Sequence, residues 1–78
     1  MNDKFFRHLL RVLFYDSKEK RVFVEIPSYK YDIAFGIPLD VFPDNMKENA
    51  KNAGYRFHAM VNTRREVDDL IFRDFEEK

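Results

Sequence analysis

The chain has 78 residues, no cysteine, and 14 basic against 14 acidic side chains. That length allows one small domain with one core, and without cysteine neither a disulfide framework nor a thiolate metal site can support it. A formal charge of zero argues against a strong nonspecific binder of phosphate backbones, which carries a basic excess.

Stability must then come from apolar burial, for which nine Phe and four Tyr are the supply. The charge is slightly asymmetric. Residues 1–39 hold seven basic and five acidic groups, net +2, and residues 40–78 hold seven and nine, net −2. A solvated surface accounts for so small a difference. The opening MNDKFFRHLLRVLFYD is interrupted by Arg7, His8 and Arg11, so it reads as neither a secretory leader nor a membrane span. A cytoplasmic protein with no membrane association is expected.

In chain order, Phe6–Tyr15 reads as a first strand, with a helical start over Asn2–Phe5. The competing helical stripe is Leu9, Leu10, Leu13 and Phe14. The polar turn DSKEKR (16–21) and the alternating run RVFVEI favour a hairpin, with Val22, Val24 and Ile26 on one face and Phe23 and Glu25 on the other. Pro27 ends this second strand. A third strand is expected over Tyr31–Pro38, with Gly36 marking a bulge or sharp bend.

The next segment predicts a short capped helix: Asp44 as N-cap, Met46, Ala50 and Ala53 as an inward stripe, and Gly54 as the left-handed residue that ends it. Strand alternation then resumes, with Tyr55, Phe57, Ala59 and Val61 on one face and Arg56, His58, Met60 and Asn62 on the other. A second polar turn, NTRREVD (62–68), precedes a last strand over Asp69–Phe75 and a frayed end at Glu76–Lys78.

The order β-β-β-α-β-β makes 1–78 a single small, mainly β domain. Its element order resembles an OB-type barrel: five strands with one short helix between the third and fourth, plugging an end. An SH3-like barrel or an open α+β sheet is the alternative. The resemblance lies in element order alone, and no family motif accompanies it.

Motifs for chemistry are sparse. Ser28 and Thr63 have no adjacent His. His8 and His58 could meet across a sheet, but a two-His metal site needs further ligands that no spacing singles out. The acidic cluster of Glu66–Asp69, Asp74, Glu76 and Glu77 lacks the glycine and spacing of a calcium loop. Two glycines cannot form a phosphate cradle. No catalytic residue, cofactor or metal is therefore expected, and the protein reads as a non-catalytic binding or adaptor module.

Two kinds of partner remain. A charge-balanced surface with Tyr, Phe and Arg suits a protein partner or a homo-oligomer, with Phe23, His58, Met60 and Phe75 as outward anchors. The alternative is single-stranded RNA or DNA. There Phe23, Tyr29 and Tyr31 would stack bases between the 16–21 and 62–68 loops, whose Lys18, Lys20, Arg21, Arg64 and Arg65 would track phosphates. Asp16, Glu19, Glu25, Glu66 and Asp68 stand in the same places and oppose that reading.

Overall fold

The computed structural model describes residues 5–28, 34–62 and 70–78. Five strands and one helix follow one another: β1 (Phe5–Asp16), β2 (Arg21–Glu25), β3 (Phe35–Pro38), α1 (Asp44–Ala50), β4 (Arg56–Asn62) and β5 (Ile71–Glu77). A 3-10 turn at Leu39–Val41 joins β3 to the helix. The first segment is a strand, as the hairpin argument expects, and Phe5 belongs to it rather than to a helical start. The remainder of that start and residues 31–33 of the expected third strand lie outside the described residues.

The strands form one antiparallel sheet in the order β3-β2-β1-β4-β5, curled into a half-barrel. The twelve-residue β1 is its spine. Phe5–Arg11 pair with β4, and Arg11–Asp16 pair with β2, so the strand changes partner midway. No ladder joins β3 to β5 among the described residues. Side chains bridge that seam instead: Phe35 of β3 meets Phe72 of β5 at 6.1 Å between ring centroids, and Phe42 meets Phe75 at 4.6 Å. The mainly β, barrel-like class with a helix between the third and fourth strands is the one the element order implies.

The inner face follows the predicted alternation over most of the sheet. Leu10, Val12, Val22, Val24, Ile26, Ile37, Phe57, Ala59 and Val61 are buried together. Met46 and Ala50 of α1 and Phe42 before it join the same core, so the helix plugs the half-barrel as expected. Its boundaries differ from the prediction. Pro43 holds the N-cap position with no side-chain cap, and Asp44 is ion-paired with Lys47 at 3.1 Å instead. Ala53 lies beyond the helix and is exposed.

Gly54 does adopt a left-handed backbone, φ 92°, but it turns the chain into β4 rather than closing the helix. Its N–H donates to the Val12 carbonyl at 2.8 Å, and Val12 N–H donates to Tyr55 at 2.8 Å, stitching the turn to β1.

Two β-bulges overturn strict alternation. On β1 the register slips between Val12 and Phe14, so Leu13 is the extra residue. Phe14, which uninterrupted alternation would put on the same face as Leu10 and Val12, is turned outward, and Tyr15 packs against the core in its place. On β5 the register slips opposite Ala59, where Asp74 takes a left-handed φ of 56°. Phe72 and Phe75, three positions apart, therefore both face inward. The expected frayed end is corrected too, since Glu76 and Glu77 belong to β5.

Gly36, read as marking a bulge or sharp bend, marks no bulge. The β2–β3 register runs without a slip from Arg21↔Pro38 to Val24↔Phe35.

Candidate functional site

The outer face of the β1–β2 hairpin carries the main cluster of candidate residues. Phe23, on the outer side of β2, lies directly across from Gly36, and a Cβ at that glycine would come within 3.1 Å of the Phe23 ring. The missing Cβ at 36 leaves the space into which the Phe23 ring packs closely. On its other side Phe23 stacks on Phe14, with centroids 4.8 Å apart and planes 18° apart. Phe14 remains 52% exposed. It extends the ring surface well beyond the contact with Gly36.

Arg21 completes this layer. Its stem passes within 3.6 Å of the place a Gly36 Cβ would occupy, and its guanidinium donates a long 3.5 Å hydrogen bond to the Gly36 carbonyl. The remaining donors of the guanidinium face solvent on an exposed residue. Along the strand, the Arg11–Glu25 ion pair forms the next rung and bounds the aromatic surface.

The hairpin loop is held by its own side chain. The Asp16 carboxylate accepts from the backbone N–H groups of Lys18 (3.0 Å) and Glu19 (3.3 Å), an Asx-type turn. Lys20 takes a left-handed φ of 58° as the loop re-enters β2. Lys18 and Lys20 are exposed at the tip. Asp16 is engaged in the turn and Glu25 in its pair with Arg11, while Lys18, Lys20 and Arg21 are exposed.

The other predicted positions separate from this cluster. Tyr29, Tyr31, Arg64 and Arg65 lie outside the described residues. His58 is on the outer face of β4 between Leu9 and Glu76, on the order of 15 Å along β1 from Phe14 at about 3.3 Å per residue. Glu76 there accepts from Arg7 at 2.9 Å. Met60 is half-buried on the same outer face. Phe75 is corrected: it packs inward on Phe42 and Phe57 and cannot anchor a partner.

Phe14 is the residue that sequence reasoning missed: it was not among the candidate partner-binding residues, and nothing local announces the extra residue at Leu13.

The two histidines do not meet. His8 pairs with Ala59 and shares the inner face, while His58 pairs with Leu9 on the outer face, so the sheet separates their rings. Burial lowers the His8 pKa, because the charged imidazolium loses hydration. Burial and the nearby Glu77 charge raise that of Tyr55. Among the described residues no group of three or more His, Asp or Glu converges on a point that could hold a metal ion, and no helix is long and apolar enough to cross a membrane.

In comparisons with family models, curated proteins and solved structures nothing matches this chain, so the site rests on its own geometry.

Proposed function

We propose that the protein is a non-catalytic binding module that engages a protein partner through Phe14, Phe23 and Arg21 on the outer face of its first hairpin. The observation that carries this reading is the stacked ring pair with Phe14 half exposed. Rings held rigid before contact lose little conformational entropy on binding, and aromatic and Arg side chains dominate the energetic centres of protein interfaces. The surrounding charges, Lys18, Lys20, Glu19, Glu25 and Arg11, form the mixed polar rim such a centre needs.

The test is affinity capture with the wild-type chain and with Phe14→Ser and Arg21→Ala baits, followed by titration of the captured protein. Each substitution is expected to weaken binding at least tenfold, corresponding to about 1.4 kcal/mol. Equal capture by all three baits would sink the proposal. Labelled single-stranded oligonucleotides serve as the second arm. Binding that weakens steeply with salt and disappears on joint Lys18→Ala, Lys20→Ala and Arg21→Ala replacement would assign the same surface to nucleic acid instead.

A further inference from the structure

The outer face of the first hairpin holds more positive charge than its acids answer. Asp16 accepts the Lys18 and Glu19 N–H groups within the turn, and Glu25 is ion-paired with Arg11. Lys18, Lys20 and Arg21 are exposed and form no ion pair among the described residues. The acids left to oppose them are Glu19 and Asp40. Asp40 lies on the 3-10 turn, where the Leu39 N–H donates to the Lys20 carbonyl at 3.0 Å.

A further cation stands on the far side of the rings. Arg56 of β4 is exposed and lies directly opposite Arg11 in the ladder, on the face that carries Phe14 and Phe23. Like charges directly opposite destabilise a sheet. Glu25 answers Arg11, and no acid among the described residues pairs with Arg56. The ring pair therefore lies between uncompensated cations, with Lys18, Lys20 and Arg21 toward the hairpin tip and Arg56 the other way.

This arrangement decides what a partner presents. An apolar side chain covers the half-exposed Phe14 ring. Carboxylates two or three residues to either side of it, roughly 7–10 Å away in an extended chain, reach Arg21 at one end and Arg56 at the other. Single-stranded nucleic acid fits less well. The two rings stack on one another instead of standing apart to receive successive bases, and Glu19 and Asp40 repel phosphates. A second copy of the chain docked face to face would bring like charges together.

We infer that the partner of this surface is an acidic segment in which one apolar side chain is flanked by carboxylates. The inference rests on the reading of Phe14 and Phe23 as the binding surface and adds the chemistry of what binds there.

The probe is a synthetic peptide with a central Phe, a Ser on each side of it and paired Asp beyond each Ser. Its controls carry Asn or Lys in place of Asp. Chemical shifts of the full chain should move at Phe14, at 18–23 and at Arg56 with the Asp peptide. Affinity should fall roughly tenfold or more with the Asn peptide, and further with the Lys peptide. In a Lys18→Glu, Arg56→Glu chain the order should invert, the Lys peptide binding more tightly than the Asp peptide. A merely structural effect of these exposed substitutions would not produce that exchange. Equal affinity of the Asp and Asn peptides, no binding of the Asp peptide at low salt, or an unchanged order in the charge-reversed chain would overturn the inference. So would tighter, salt-sensitive binding of a single-stranded oligonucleotide at the same residues. Phe14→Ser separates the two claims. Binding lost in that variant but indifferent to peptide charge overturns the acidic partner and keeps the aromatic surface. Charge-dependent binding untouched by Phe14→Ser removes the aromatic surface, and this inference with it.

Discussion

Gly36 and Phe23 form a matched pair, and neither is explained without the other. A methyl group at 36 would press on the ring at 3.1 Å, and any shift of the ring is made against its stack on Phe14. Gly36→Ala is therefore expected to cost about 1 kcal/mol, the low end of overpacking, despite the usual gain from removing a glycine. The same substitution in a Phe23→Ala background should cost nothing or stabilise. Denaturant titrations of the four proteins close this double-mutant cycle.

His8 makes a prediction of a different kind. Its folded pKa lies below its ordinary value of 6.5 because burial disfavours the charged ring. As pH falls through that value the unfolded chain takes up a proton that the folded chain resists, so stability is fully present above it and declines below it. Thermal melts of the wild type and His8→Leu between pH 8 and pH 5 should diverge, the variant showing the flatter profile. Parallel profiles would refute this role for His8.

At the scale of elements, the two bulges and the plug do most to shape the molecule. Each bulge adds one residue to a strand and thereby changes the destination of an aromatic ring. Leu13 turns Phe14 out to the surface, and Asp74 turns Phe75 into the core. The left-handed backbone at Asp74 suits a residue type that visits that region more readily than most.

The plug depends on two side chains, Met46 and Ala50, both fully buried. Met46→Ala should destabilise by about 2–5 kcal/mol, the range for truncating a buried Met. Ala53→Ser, on the exposed turn after the helix, should change stability by less than about 0.5 kcal/mol. Chemical denaturation of both variants checks the contrast. A large effect at Ala53 would contradict the helix ending at Ala50.

At the scale of the whole molecule, rings rather than a ladder join β3 and β5 among the described residues. Phe35–Phe72 and Phe42–Phe75 draw the β3 side and β5 together. Phe72→Ala should therefore loosen the seam and cost about 2–3 kcal/mol, somewhat below a fully buried Phe because Phe72 is half-buried. For a small domain without staples that is a large share of the total. With one continuous core, the variant should still unfold in a single transition, seen identically by far-ultraviolet dichroism and by aromatic signals. Two separated transitions would show that β5 and the rest of the sheet are independent units.

Much of this architecture was legible in the chain. The period-two pattern of Val22, Val24 and Ile26, and of Phe57, Ala59 and Val61, is a local property, so it located β2, β4 and their inner faces. The Met46/Ala50 spacing likewise located the short helix, though not its ends. Local signals could not show where β1 passes from one partner to the other, or where a bulge reverses which side chains face inward. Those depend on how the strands must curl to bury a common core. For the same reason the candidate site was only half visible. The 16–21 hairpin with Lys18, Lys20, Arg21 and Phe23 followed from composition and turn chemistry. The outward Phe14, the glycine seat beneath Phe23, the inward Phe75 and the separation of His8 from His58 were decided by register, which exists only once strands are paired.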